Sequence, residues 1–284
     1  MFGFKNTMNQ SKPIFISCFV IFVLLFSLIS VSAQEVEDER EFDYAGGGEK
    51  GPGHWGDLKE EWSTCKKGSM QSPIDMSSER VKVILKSGDL KRSYKPCKAT
   101  LKNRGHDISL KWLDHSAGTV EMNGTGYLLD QAHWHSPSEH TINGRRYDLE
   151  LHMVHTSIDP NVTNKITVIG LLYKIGPPDP FLSKLINNIT SMADQLQERD
   201  MGMIHPYEIK MGGRKYYRYI GSLTVPPCTE GVNWIINKLI RTVSEDQIKA
   251  LRIAVHDYAE MNARPLQPIN RRGIELYGPN PMAN

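Results

Sequence analysis

The chain has 284 residues, 39% of them apolar and 23% charged, which is enough apolar surface for one large core and too little bias for a disordered or fibrous protein. Lys and Arg number 34 against 32 Asp and Glu, a formal charge of +2. That balance excludes the broad basic field on which nonspecific nucleic-acid binding depends.

From the amino terminus, Lys5 and Lys12 precede an apolar run from Ile14 to Val31, and Val31-Ser32-Ala33 presents small residues at signal-peptidase spacing. The pattern predicts a secretory signal, residues 1–33, cleaved after Ala33. The run also approaches the length of a membrane span, which leaves an uncleaved anchor as the alternative. Cleavage would remove two Lys and no carboxylate, leaving a chain of zero formal charge with no membrane segment. Cys18 would leave as well, so two of Cys65, Cys97 and Cys228 should pair in an oxidising compartment, and spacing alone does not choose among the three pairings. Sequons at Asn123, Asn161 and Asn188 predict glycosylation on the same route.

Residues 34–50 read as a solvated leader, acidic from Glu35 to Glu41 and then Gly-rich at 46–48, with Phe42 and Tyr44 available to pack on the domain. No linker interrupts residues 51–284. Alternating segments predict strands at 80–86, 99–102, 107–112, 127–135, 147–155, 166–174, 215–220 and 232–240. Helical period appears twice. Residues 180–196 place Phe181, Leu182, Leu185, Ile189, Met192 and Leu196 on one stripe, and Ser244-Glu245-Asp246-Gln247 is a capping box opening Ile248, Leu251, Val255 and Tyr258. The chain has no repeat, no phosphate-binding glycine loop and no G-x-G-x-x-G. The expected fold is mainly β (α+β): a single domain on a large twisted, mostly antiparallel sheet with short peripheral helices.

Gln131-Ala132-His133-Trp134-His135 carries the chemistry. Period-2 geometry sends Tyr127, Leu129, Gln131, His133 and His135 to one face, the two imidazoles side by side. In the strand Leu149 to His155, Glu150, His152 and Val154 share a face, so His152 can supply a third nitrogen. Three neutral imidazoles without a thiolate suit Zn²⁺ and leave its fourth tetrahedral position to water, the signature of a catalytic site. Gln131 and Glu150 each stand two residues before a candidate ligand, placed to accept its second ring N–H.

His133-Trp134-His135 with Ser138-Glu139-His140-Thr141, residues Glu150 to His155, and residues Gly221 to Cys228 together resemble the α-class carbonic anhydrases, and Lys50-Gly51-Pro52 and Lys215-Tyr216-Tyr217-Arg218-Tyr219 resemble their plant branch. Gln71-Ser72-Pro73-Ile74-Asp75, Asn103-Arg104-Gly105-His106 and Asn262-Ala263-Arg264-Pro265 fall in the family's order. The resemblance implies that His133, His135 and His152 bind zinc, that Thr224 accepts the hydrogen of zinc-bound hydroxide, and that Glu139 holds the Thr224 hydroxyl. It implies an apolar wall for carbon dioxide at Val154, Val168, Leu223 and Trp234, a proton shuttle at His106, and a Cys65–Cys228 disulfide that leaves Cys97 free. The implied reaction is reversible hydration of carbon dioxide to bicarbonate and a proton by attack of that hydroxide, with weak esterase activity as a possible companion. A storage or binding protein of the same fold is the alternative, which the intact histidines, Thr224 and Glu139 disfavour. A zinc peptidase is disfavoured by the absence of H-E-x-x-H. The expected address is the secretory pathway, ending outside the cell or in the chloroplast, with small molecules rather than nucleic acid as partners.

Overall fold

A computed structural model describes residues 1–3, 41–85, 90–157, 159, 161–193 and 195–279. The apolar run and the Ala33 cleavage site lie outside these residues. Among the described residues no helix is long and apolar enough to cross a membrane.

Strands dominate. The first eight are β1 (Val81–Ile84), β2 (Lys91–Tyr94), β3 (Cys97–Asn103), β4 (Ile108–Trp112), β5 (Gly118–Met122), β6 (Thr125–His135), β7 (Thr141–Ile142) and β8 (Arg145–Arg146). They are followed by β9 (Leu149–Thr156), β10 (Ile166–Ile175), β11 (Glu198–Ile204), β12 (Tyr216–Ser222), β13 (Glu230–Asn237), β14 (Arg241–Val243) and β15 (Ile274–Tyr277). Among the described residues four α-helices accompany them: α1 (Trp55–Leu58), α2 (Thr64–Lys67), α3 (Pro180–Thr190) and α4 (Glu245–Ala254). The main sheet runs β1-β15-β12-β13-β10-β9-β6-β4-β3-β11, while β7 and β8 form a separate hairpin. Most pairs are antiparallel; β1 with β15 and β10 with both β13 and β14 are parallel, so the sheet is mixed.

Alternation along the central strands divides the core between the two faces. One face carries Ala132, Trp134, Leu151, Met153, Ile169 and Leu171, covered by Phe181, Leu182, Leu185 and Ile189 of α3 and by Ile248 and Leu251 of α4. The other carries Val154, Val168, Leu172, Trp234 and Ile236. The ligand histidines belong to this second face. At ~25 cal/mol per Å² of apolar surface removed from water, such burial is the main stabilising term of the sheet.

Four details depart from the sequence reading. A bulge at Asp130 shifts the β6 register, Leu129 facing His155 and Gln131 facing Val154. The extra residue reverses the alternation, so Tyr127 and Leu129 join the helix-covered face while Gln131, His133 and His135 turn to the other. Helix α3 stops at Thr190 rather than running to Leu196: Thr190 and Ser191 hydroxyls donate to the Ile186 and Asn188 carbonyls, and Leu196 is exposed. Helix α4 opens on the expected capping box but ends at Ala254, where Val255 turns extended. Asn188 sits half-buried within α3, whereas Asn123 and Asn161 are exposed outside helices and strands. Phe42 and Tyr44 pack into the core against Trp55.

Candidate metal centre

Strands β6 and β9 pair so that His133 faces His152 and His135 faces Glu150. This register assembles three imidazoles from two neighbouring strands, their ring centroids 4.6 to 5.1 Å apart. All three are buried, and one nitrogen of each lies within 4.8 Å of the others. Gly170 of β10 stands opposite His152, and a Cβ there would come within 2.6 Å of Ile236 Cδ1 and 3.1 Å of Glu150 Oε1.

The second nitrogen of every ring is committed. His133 Nδ1 donates to Gln131 Oε1 at 2.9 Å, His135 Nδ1 donates to the Asn262 carbonyl at 2.7 Å, and His152 Nε2 donates to Glu150 Oε1 at 2.9 Å. These bonds fix the tautomers and leave His133 Nε2, His135 Nε2 and His152 Nδ1 as lone-pair donors. His133 Nε2 and His152 Nδ1 face each other at 3.3 Å. His135 Nε2 is buried without a hydrogen-bond partner. Facing lone pairs and an orphaned ring nitrogen suit a cation shared among the three, and an all-imidazole set suits Zn²⁺. Burial holds His133 well below its ordinary pKa, in the neutral form a ligand needs. At His135 burial acts in the same direction, but the Glu139 carboxylate and the Asn262 carbonyl outweigh it and raise the ring.

Glu150 is the hub behind the centre. Its Oε2 accepts the Glu139 and His140 amides, both at 2.8 Å, and its Oε1 accepts His140 Nδ1 as well as His152 Nε2. Burial pushes this carboxyl up, yet the two imidazoles more than offset it and hold it well below the usual carboxylate range. The chain continues through His140 Nε2, which accepts from the Tyr219 hydroxyl at 2.6 Å, to Ser72 Oγ at 2.8 Å from that hydroxyl. His140, Glu150 and His152 also cluster tightly enough to hold an ion. Their polar atoms already bond one another, so the cluster orients His152 instead.

The remaining candidates are distributed around this core. Val154, Val168, Leu223 and Trp234 are buried in one cluster, with the Trp234 ring 4.8 Å from that of His152. Thr224 is buried in the segment after β12. The expected hydrogen bond between Thr224 and Glu139 is not formed: Glu139 Oε1 accepts the Arg264 amide at 2.9 Å, and Oε2 lies 3.6 Å from His135 Nε2. His106 is buried against Phe42, ring centroids 5.0 Å apart, with neither nitrogen hydrogen-bonded. Burial drives it down to about 4 despite the Asp107 carboxylate 3.6 Å away. The proton shuttle that the resemblance implies for His106 needs a basicity nearer that of a solvated imidazole.

Cys65 and Cys228 form a disulfide across 163 positions of sequence, and Cys97 is free and buried, its Sγ 3.0 Å from Ser116 Oγ. Asn262 and Arg264 were visible in the sequence only as motif residues, yet both build the site. Asn262 accepts the Ser136 amide and donates to the His106 and Trp134 carbonyls. Arg264, 1% exposed, donates to Gln71 Oε1 and to the Ser72 and Cys65 carbonyls.

Comparison with known proteins assigns the chain to a family. The sequence model of the eukaryotic-type carbonic anhydrases matches residues 50–277. The chain belongs to that family. It is 53% identical over 272 residues to alpha carbonic anhydrase 7 of Arabidopsis thaliana, covering 93% of this chain and 97% of the relative. It is 54% identical over 259 residues to carbonic anhydrase Nec1 of Nesocodon mauritianus, covering 91% and 93%. Among solved structures, dioscorin complexed with ascorbate superimposes with a TM-score of 0.79 at 40% identity, covering 84% of this chain and 98% of that one. This family member therefore has close relatives named as enzymes and a structural neighbour solved with a different small molecule.

Proposed function

We propose that the chain catalyses reversible hydration of carbon dioxide to bicarbonate and a proton, with zinc held by His133 Nε2, His135 Nε2 and His152 Nδ1. The observation that carries this reading is the commitment of every other ring nitrogen to Gln131, Asn262 or Glu150, which turns three lone pairs onto one point. Zinc bound there would supply a water acidified to a near-neutral pKa. Val154, Val168, Leu223 and Trp234 offer an uncharged substrate an apolar wall beside the histidines. Thr224 is assigned to accept a hydrogen from the attacking group and so aim its lone pair. Glu139 is assigned to hold Thr224, which requires its Oε2 to turn from His135 to the hydroxyl.

His106 is assigned to carry the released proton. At about 4 it is too acidic to accept that proton near neutrality, so the role requires the ring to reach water, where its ordinary basicity returns. His106→Ala should then lower kcat at low buffer far more than kcat/KM, with rescue by imidazole; equal loss in both, or none, removes it from proton transfer.

The test of the main reading is zinc content together with stopped-flow hydration of the purified chain. We expect stoichiometric zinc and fast hydration in the parent and neither in His152→Ala; full activity in that variant refutes the ligand set. The likeness to dioscorin supports a second reading, a storage or binding protein of the same fold, and a parent chain without zinc or hydration activity would favour it. The Cys65–Cys228 disulfide and the exposed Asn123 and Asn161 sequons support passage through an oxidising secretory route. The final address, extracellular or chloroplast, is part of the same proposal.

A further inference from the structure

The segment from Ile209 to Lys215, ahead of β12, is held in one shape. Asn237, buried at the end of β13, donates through Nδ2 to the Met211 and Gly212 carbonyls, both at 2.8 Å, and the Lys238 amide donates to Lys215 O at 2.9 Å. Gly212 and Gly213 adopt φ of +59° and +67°, and a Cβ on Gly212 would meet Leu239 Cδ2 at 2.6 Å. Glycine is favoured at this turn by its positive φ.

Two clefts flank the turn. One of about 200 Å³ is lined by Arg92, Arg214 and Lys215 together with Leu90, Met211 and Tyr216. The other, about 340 Å³, is lined by Arg214, Lys215 and Lys238 together with Leu239 and Pro279. Both share Gly213, Arg214 and Lys215, so a ligand filling both must cross the turn. Arg92, Arg214, Lys215 and Lys238 are exposed, and among the described residues no carboxylate lines either cleft and none of the four forms an ion pair. Lys59, Lys66, Lys91 and Lys184, by contrast, each have a carboxylate partner. A chain of formal charge +2 thus gathers around one grooved turn four cations that have no carboxylate partner among the described residues.

The walls between the charges are largely apolar: Leu90, Met211, Leu239 and Pro279. Alternating cations and apolar surface complement a ligand that carries anionic groups on rings with C–H faces. Single-stranded nucleic acid would need exposed aromatic platforms for its bases, and the one ring here, Tyr216, is already stacked on Tyr277. A peptide adding to β2 would meet the Tyr207 hydroxyl, which donates to the Arg92 carbonyl. We propose that the twin clefts around Gly213–Lys215 bind an acidic polysaccharide, a uronic-acid chain whose carboxylates meet Arg92, Arg214, Lys215 and Lys238. The site lies at the far end of the seven-residue strand β12 from Ser222 and Thr224, roughly 20 Å away at ~3.3 Å per residue.

The experiment is calorimetric titration of the full chain with a purified oligogalacturonate, in parallel with poly-glutamate and inorganic phosphate. Binding that weakens with added salt is expected for the parent. The triple variant Arg214→Gln, Lys215→Gln, Lys238→Gln should bind roughly tenfold or more weakly, with carbon dioxide hydration unchanged. A control with Lys98→Gln, Lys111→Gln and Lys249→Gln should bind like the parent. Should the triple variant fail a thermal-melt check of folding, Arg214→Gln and Lys238→Gln singly should each lose about threefold. The proposal is overturned by no binding to the parent, by equal loss in the control, by full binding in the cleft variants, or by tighter binding of poly-glutamate or phosphate than of the uronate.

Discussion

His155 shares strand β9 with His152 but lies on its opposite face, and its two nitrogens are both used within the fold. Nε2 accepts from the Tyr94 hydroxyl at 2.8 Å and Nδ1 donates to the Thr167 carbonyl at 3.2 Å. That tautomer is neutral, and burial pushes the ring from its ordinary 6.5 down to about 4. Between these values the unfolded chain binds a proton that the folded chain refuses, so stability rises with pH across the window and falls on acidification. The full drop is on the order of 3 kcal/mol between pH 6.5 and 4. His106, also buried and also driven to about 4, adds a parallel loss. His155→Asn should therefore flatten the urea-unfolding midpoint between pH 6.5 and 4 by the share belonging to one imidazole while leaving the rest. An unchanged slope would show that His155 charges freely in the folded state. Asp107 acts in the same sense at lower pH: burial raises it, but the Arg104 guanidinium, paired with it through Nε and Nη2, holds it well below the carboxylate range, so this contribution too is lost on acidification.

At the scale of elements, the segment from Leu223 to Pro227 positions Thr224 and is anchored immediately beyond by Cys228. The Cys65–Cys228 bridge closes a loop of 163 positions, for which the chain-entropy model gives an upper bound of ~5 kcal/mol. Cys65→Ser with Cys228→Ser should lower the unfolding free energy by up to that amount. It should also reduce kcat more than zinc content, because the ligand strands lie elsewhere while the Thr224 segment loosens. Equal losses of zinc and rate would place the disulfide's effect on the whole fold instead. Gln71, whose Nε2 donates to the Cys228 carbonyl at 3.1 Å, gives the segment a second, weaker tether. Legibility from sequence follows the same logic of elements. Buried strands announce themselves, β4 and β9 by alternation and β10 by a near-continuous apolar run. Strand β2, with three of its four residues exposed, and β11, interrupted by a bulge, lack that signal. The ligand spacing in β6 was legible because the Asp130 bulge falls before Gln131 and leaves the parity from Gln131 to His135 intact. The Asn262 carbonyl that orients His135 was not legible, since a backbone acceptor 127 positions away has no side-chain signature.

Across the whole molecule, the centre draws on segments that meet only when the fold is complete. The ligands come from β6 and β9, the orienting groups from the same strands and from Asn262, and Arg264 ties the late segment to Gln71, Ser72 and Cys65, up to 199 positions away. Strand β1 pairs with β15, bringing the early and late parts of the domain together as well. An unfolded chain has no such triad, so zinc that binds only the folded state must stabilise it by mass action. At a thousandfold excess over the dissociation constant the gain is about 4 kcal/mol, which for a domain of this size corresponds to roughly 10 °C in Tm. Chelation should lower the Tm of the parent by that order, and added zinc should restore it. His152→Ala should melt at the same temperature with or without metal. Thr224→Ala should keep the zinc-dependent shift, because its hydroxyl is outside the donor set, and lose rate instead. The melting curves thus read occupancy independently of catalysis. A parent chain whose Tm ignores both chelator and zinc would mean that the three lone pairs, though converged, hold no metal, and the proposed reaction would lose its centre.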